Sequence, residues 1–396
     1  MAIMKKYLLI ITIASLLLGG CVPSKSIVSV EDECIPPLFD IAFPVMMQTP
    51  GAVTPRQIPP QGNWQSQDAL PFPQDELSYL GLRPKQHELW LMAAKSYKIS
   101  RYFIDKREWV SYEKIGTELT VPDRLFVASD GTVWGAGIQI TDNIDYKQPR
   151  PLFSRFNDAT DQFEFVPDNS EFLQIPQIRL VSNLVEDQSG LLWFFIEGDS
   201  KQILSSFDVK TQQAQQHYSM GTGGHNALAI GPDGSVWFMD VFTNQLIQYK
   251  PLSQETRIYQ GTPGPADTLD PGELAFDLAG ANYIYFDRSG RLWVANYGWL
   301  DFSNNNFPVW NRVIESPVFI SEGRHPAIEY GYSYQSSMYQ SSNGWYWFKG
   351  AGIVRLDLEN GSWCLMTTGN SDVVEDNDQN LWIAVFGHLY KYPLKR

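Results

Sequence analysis

The chain has 396 residues, 14% of them aromatic, with a formal net charge of −14. That acidic balance argues against nucleic acid and against an anionic membrane face as partners. Its three cysteines, Cys21, Cys34 and Cys364, give no Cys/His spacing for a zinc site.

The first element is a leader. Lys5 and Lys6 precede an apolar run, Tyr7 to Leu18, that is too short for a stable membrane span and fits the hydrophobic region of a signal peptide. It ends in "LGGC", Leu18 to Cys21. Small residues before a cysteine resemble the lipobox of bacterial lipoproteins. The resemblance implies cleavage before Cys21 and a mature N-terminus that carries a diacylglycerol thioether and an N-acyl chain (palmitate among the acyl groups). Several such chains anchor stably, since each buried methylene contributes roughly 0.8 kcal/mol. The residues alone also fit an ordinary cleaved signal with an incidental cysteine. Without residues 1–20 the chain has 28 Lys and Arg against 44 Asp and Glu, a charge of −16. No other segment has the length and apolarity of a membrane span, so the expected membrane contact is the lipid anchor only. In an oxidising compartment the two remaining cysteines suggest a Cys34–Cys364 disulfide; two separate buried thiols are the alternative.

Residues 21–75 hold ten of the 25 prolines. Proline cannot donate within a central strand, so this segment reads as a tether and an extended stretch lying on the body, with pieces such as "SIVSV" able to join a sheet edge. The folded body is expected over 76–396.

Within that body one phrase recurs: "SDGTVWGAG", "QSGLLWFFI", "PDGSVWFMD", "RSGRLWVAN", "SNGWYWFKG" and "DQNLWIAV". In the first five a glycine stands three residues before the tryptophan, where chance gives roughly one such pair. Gln379 replaces it in the sixth. Asp-Gly, Ser-Gly and Asn-Gly accept the positive φ of tight hairpins, and each copy has an apolar run just upstream. The strand that follows is apolar without alternation, which suits an inner strand buried on both faces. The tryptophans therefore read as packing residues. A second phrase follows most copies, as in "ILSSFDVKTQQAQQHY": alternating strand, polar turn, alternating strand. Each unit so supplies four short antiparallel strands. Seven units are marked by Trp90, Trp134, Trp193, Trp237, Trp293, Trp347 and Trp382. The fifth is irregular, with a polar excursion at "FSNNNFPVWNRV". The last lacks its outermost strand.

Repeated four-stranded sheets of this period predict an all-β fold, a β-propeller of seven four-stranded blades. The proline-rich N-terminal segment is the available donor of a closing strand. A Cys34–Cys364 bridge would pin it beside the last two blades.

The pattern "D-x-x-G-x-L-W-V" followed by "G-I/L-x-R-Y/L-D" resembles the propeller repeats of two-component-regulator sensor domains. "GGHNALAIGPDGSVWFMDVFTNQLIQYKP" is similar to blades of the streptogramin (virginiamycin B) lyase family. The first likeness implies an extracytoplasmic sensing or scaffolding ring. The second implies a metal-assisted lyase or hydrolase site, with ligands just before a blade's first strand and just after its tryptophan strand. His225 and Asp240 stand at those two places in one blade only. After other tryptophans the corresponding residues are Gly137, Ile196 (with Glu197 one step on), Asn296, Gly350 and Val385. A lyase site needs several convergent ligands and a base. The expectation is therefore no catalytic set, no metal site and no cofactor. "DNDQN" opens like a calcium loop but has Gly387 where the acidic twelfth residue belongs. His87, His217, His325 and His388 have no sequence partner that marks them as catalytic.

The surplus aromatics sit in irregular stretches: Tyr297, Trp299, Phe302, Phe307 and Trp310 in blade five, interleaved with Asn296 and Asp301, and Tyr330, Tyr332 and Tyr334 before blade six; the alternative is that they pack the excursion onto its own blade. Inserted loops on a rigid ring are where function is expected. The candidate binding residues are thus His225, Asp240, Glu197, Asn296, Tyr297, Trp299 and Asp301. The expected function is a lipid-anchored binding module of the cell envelope, facing periplasm or exterior, for a protein, peptide or glycan ligand. The metal-assisted lyase or hydrolase is the alternative. No segment follows the last repeat, so a downstream signalling extension is not expected.

Overall fold

The structure is a computed structural model that describes residues 65–72, 77–93, 98–112, 124–136, 153–166, 180–197, 201–221, 227–261, 283–294, 298–302, 309–312, 337–349, 352–357, 362–368, 372–385 and 387–394. The chain divides into Met1–Cys34, which lies outside these residues, and Ile35–Arg396, which contains all of them.

The described strands form seven four-stranded antiparallel sheets, each in chain order except the last. A single strand, β1 (Gln65–Ala69), comes first. Blade one is β2 (Leu77–Arg83), β3 (Glu88–Ala93), β4 (Ile99–Phe103) and β5 (Glu108–Tyr112). Blade two is β6 (Arg124–Val127), β7 (Val133–Ala136), β8 (Phe153–Asn157) and β9 (Gln162–Phe165). Blade three is β10 (Leu180–Glu186), β11 (Leu191–Glu197), β12 (Lys201–Asp208) and β13 (Gln213–Gly221). Blade four is β14 (Leu228–Ile230), β15 (Val236–Asp240), β16 (Gln245–Lys250) and β17 (Glu255–Gln260). Blade five is β18 (Ile284–Phe286), β19 (Leu292–Val294), β20 (Gly298–Asp301) and β21 (Val309–Arg312). Blade six is β22 (Ser337–Gln340), β23 (Tyr346–Lys349), β24 (Gly352–Asp357) and β25 (Ser362–Thr368). Blade seven is β26 (Asp372–Glu375), β27 (Asn380–Val385) and β28 (His388–Pro393), with β1 as its fourth strand. Neighbouring first strands touch from blade one to blade six, and β26 of blade seven touches β23 of blade six and β2 of blade one, so the sheets form the closed ring of a β-propeller.

Each tryptophan hairpin is the same local structure. In Asp187–Leu191 the Gly190 N–H donates to Asp187 O at 3.0 Å and the Asp187 N–H to Leu191 O at 2.9 Å. That is a tight turn closed by a residue of positive φ, which a glycine adopts without steric cost. Gly190 has φ +88°, and the residue three before the tryptophan is left-handed in every blade. His87 (φ 52°) takes this place in blade one and Gln379 (φ 61°) in blade seven, so the turn geometry is kept where the glycine is absent.

The seven indoles are 0–3% exposed. Each removes roughly 200 Å² from water, worth about 5 kcal/mol at most by area transfer. The core is a set of seams between blades: Trp193, Phe195 and Leu204 of blade three pack on Phe238, Ile247 and Tyr249 of blade four, and Phe153 and Trp134 of blade two on Phe194 and Phe207 of blade three.

Closure uses a polar strand. β1, "QSQDA", pairs with β28 through Gln65↔Lys391, Ser66↔Tyr390, Asp68↔Leu389 and Ala69↔His388. Leu70 and Phe72 then enter the seam between blades seven and one, beside Trp382, Leu389, Leu89 and Tyr102. Hydrophobicity does not mark β1 because an outermost strand is held by its backbone. "SIVSV", the apolar candidate, lies outside the described residues, as do Cys21 and Cys34. Cys364 stands on β25 opposite Arg355, and among the described residues there is no disulfide.

Candidate functional site

The strand order gives the ring two unlike faces. Where first meets second strand, and third meets fourth, the turns are short. The opposite face carries the second-to-third hairpins and the blade-to-blade connections. The longest connections of the body, 113–123, 137–152, 167–179, 262–283 and 313–336, all have flanking strands that end on this face. Long connections on a rigid scaffold are where binding chemistry collects.

Three described carboxylate-bearing strand ends reach it. Glu197 ends β11 opposite Gln202, and Asp240 ends β15 opposite Gln245. Asp240 Oδ1 accepts the N–H groups of Phe242 and Thr243 at 3.0 and 3.2 Å, so it caps its own hairpin and leaves Phe242 exposed at the tip. Asp372, first residue of β26, accepts Lys349 Nζ of blade six at 2.5 Å and the Leu80 N–H of blade one at 2.9 Å. Lys349 also donates to Val373 O at 3.2 Å. This charged pair ties three blades together on the face where the ring closes.

The aromatic excursion of blade five is a regular pair of strands. Trp299 stands on β20 opposite Trp293, rings 4.9 Å apart, with the Arg291 guanidinium 5.5 Å from the Trp299 ring. Phe302 packs on Trp237 of blade four at 5.1 Å. Asp301 ends β20 opposite Val309, at the end of the blade away from the long connections, and Trp310 pairs with Leu300. The structure thus uses Trp299 and Phe302 as packing residues, the first on its own blade and the second on blade four. His225, Asn296, Tyr297, Tyr330, Tyr332 and Tyr334 lie outside the described residues. Of the candidate set, Asp240 and Glu197 are therefore brought to one face on adjacent blades, and Trp299 and Asp301 are not brought to it.

The short-turn face holds a device that the sequence reading passes over. The residue six before the tryptophan accepts its indole N–H: Asp187 from Trp193 at 2.8 Å, Asp287 from Trp293 at 3.0 Å, Asp376 from Trp382 at 2.7 Å and Ser341 from Trp347 at 2.9 Å. In blade four that place is Gly231, and Ser235 Oγ accepts from Trp237 at 2.8 Å instead. A Cβ on Gly231 would meet Ser235 Oγ and Asp233 Oδ1 at 2.8 Å, so the absent side chain makes room for its substitute. A second repeat links blades. Glu186, Gln340 and Glu375 accept the first turn N–H of the preceding blade, from Ser129 (2.6 Å), Arg288 (2.9 Å) and Ser342 (2.7 Å). The signal was present, an acid or amide directly before the turns of blades three, six and seven, but its partner is a blade away. Between blades one and two, Arg83 pairs bidentately with Asp158 at 2.8 Å and with Glu88 at 3.1 Å, while Arg101 binds Glu88 and Asp161. These hydrogen bonds with Asp158 hold the Arg83 pKa above its ordinary value and that of Asp158 below.

His217, unmarked by sequence, has two partners. Its Nε2 lies 2.8 Å from Ser206 Oγ and its Nδ1 3.2 Å from Tyr249 Oη. Asp376 of "DNDQN" accepts the N–H groups of Asp378 and Asn380 and the Trp382 indole, so its oxygens are engaged within its own hairpin. Among the described residues no three His, Cys, Asp or Glu side chains are grouped as a metal site, and no helix is long and apolar enough to cross a membrane.

No protein-family profile matches the chain, and no curated protein matches it. Among solved structures it is similar to a streptogramin B lyase (14% identity, 83% of this chain and 96% of that chain, TM-score 0.54). It is similar to a catalytically inactive virginiamycin B lyase from Staphylococcus aureus with quinupristin (14% identity, 83% and 98%, TM-score 0.52). It is also similar to the extracellular domain of a hybrid two-component system from B. thetaiotaomicron (13% identity, 86% of this chain and 42% of that one, TM-score 0.53). At such identities the likeness shows the fold, a β-propeller.

Proposed function

We propose that this chain is a binding module of the cell envelope, lipid-anchored through Cys21, that takes a protein, peptide or glycan on the face of the long connections. One observation carries the reading: five long connections leave the same face, while the opposite face is closed by short turns whose carboxylates are committed to indoles and backbone. A ring built that way offers one adaptable surface on a rigid support. The anchor rests on "KK" followed by the apolar run and "LGGC". The lyase-like folds and the Asp240 strand end favour the second reading, a metal-assisted lyase or hydrolase. Against it, one oxygen of Asp240 already caps its own turn.

The test uses the mature chain on glycan and peptide arrays, with a variant whose 313–336 connection is replaced by a short Gly-Ser linker. Saturable binding that survives EDTA and is weakened in the variant supports the module. A melting temperature that falls with EDTA, together with metal-dependent turnover of quinupristin, overturns it in favour of the lyase. Palmitate labelling of the full chain that persists in Cys21→Ser removes the anchor from the proposal.

A further inference from the structure

β13 carries one extra residue. It runs in register with β12 from Gln213↔Asp208 to Gln216↔Ser205, then from Tyr218↔Leu204 to Gly221↔Lys201, so His217 stands opposite no residue of β12. A bulge of this kind re-aims a side chain. Here it sends two successive side chains into one seam. Tyr218 packs on Phe238 of blade four, with ring centroids 5.3 Å apart. His217 lies between Trp193 of its own blade and Tyr249 of blade four, at 4.5 and 5.5 Å. The imidazole also bridges the seam through hydrogen bonds, to Ser206 of blade three and Tyr249 of blade four.

We propose that the seam between blades three and four is a pH-operated joint, with His217 as its sensor. A neutral imidazole has one donor and one acceptor nitrogen, and the two hydroxyls can match either arrangement. An imidazolium has two donors and a charge that the seam must desolvate. The groups that face it offer no compensating charge. From β12 there is Ser206, and on β13 the neighbours are Gln216 and Tyr218. From β16 there is the Tyr249 phenol, its own pKa raised by burial. From β11 there is Trp193, whose indole N–H is bound by the Asp187 carboxylate. Burial alone pushes the imidazole down to about 4. The joint is therefore shut at neutral pH and loses its advantage as pH falls from about 6.5, where an unfolded imidazole titrates, towards 4. In the same seam β11 and β15 pack through Phe195 and Phe238 at 5.7 Å and end in Glu197 and Asp240. Opening the seam changes the spacing of those two strand ends, whatever the face binds.

The experiment follows the full chain by NMR titration of the imidazole C–H signals, assigned with His217→Gln, and by amide hydrogen exchange at pH 7 and 4.5. The His217 signal is expected to titrate well below 6. Exchange in β13 and β16 is expected to quicken at least tenfold more than in β5, β9 or β25, and the unfolding constant to rise about tenfold between pH 6.5 and 4 on account of this half-buried group. His217→Gln removes both effects. Titration near 6.5, an unchanged pH slope in His217→Gln, or equal acid loosening in every blade overturns the joint. Should His217→Gln fail to fold, Tyr249→Phe serves: it removes an acceptor and lowers the His217 titration, and an unmoved curve counts against the proposal.

Discussion

The Asp287 carboxylate accepts the indole N–H of Trp293 at 3.0 Å and, with the same oxygen, the phenol of Tyr346 in the next blade at 2.9 Å. Its other oxygen accepts Ser289 N–H, Ser289 Oγ–H and Arg291 N–H. Burial raises its pKa, but the hydrogen bonds outweigh that and hold it below the ordinary carboxylate value. One fully buried side chain thus fixes a turn, its tryptophan and the seam with blade six. Asp287→Ala strands those donors and should cost about 3 kcal/mol or more in urea unfolding, against about 1 kcal/mol for Ser341→Ala, which gives up a neutral hydrogen bond. Equal costs for the two would show that the carboxylate has no special place in the clasp.

Acid should therefore act in two stages. The His217 contribution is complete above pH 6.5 and fades as pH falls towards 4. Asp287, with a lowered folded pKa, contributes above its unfolded value and loses that contribution as pH falls through its folded one, in a lower window. Stability curves of wild type and Asp287→Asn should run parallel above pH 5 and converge below about 4.

Gly81 is required by a neighbour two residues away. Val127 N–H of blade two donates to Tyr79 Oη at 2.9 Å, and the phenol crosses Gly81 to get there. A Cβ on Gly81 would meet Tyr79 Cε1 at 2.6 Å. Gly81→Ala should cost about 1–3 kcal/mol by overpacking, and most of that cost should vanish in a Tyr79→Ala background. Additive effects in the double-mutant cycle would refute the overlap.

A chain cut at residue 76 should lose ring closure. The cut removes β1, its pairing with β28, the Leu70 N–H to Gly387 O bond of 2.7 Å, and Leu70 and Phe72 from the closing seam. Truncation at 62 should unfold in one transition like the full chain. Truncation at 76 should lower the midpoint strongly or abolish cooperative unfolding. Asp68→Ala, which gives up Tyr102 and Arg107, should cost about 1–2 kcal/mol in the same assay.

The blade count was legible because its causes are local. A left-handed residue, three positions, then an indole make a hairpin that is complete within a dozen residues, and Trp90 to Trp382 mark it seven times. The turn survives His87 and Gln379 in place of glycine for the same reason, since the backbone of four neighbouring residues decides it. What the aromatics around Trp299 cover was not legible, because a polar run between two short strands looks like a loop until Trp299 is seen on its own blade's Trp293 and Phe302 on Trp237 of blade four.

What tertiary structure alone decided involves partners far along the chain. Nothing in "QSQDA" announces a closing strand, since its worth is backbone pairing with β28, more than 300 residues on. Leu80 meets Asp372 across 292 residues, and His217 enters its seam only because a bulge in β13 turns it towards a strand of the next blade. Local rules state what each residue can offer. Which offer is taken up depends on the circle closing, and that is fixed by all seven blades together.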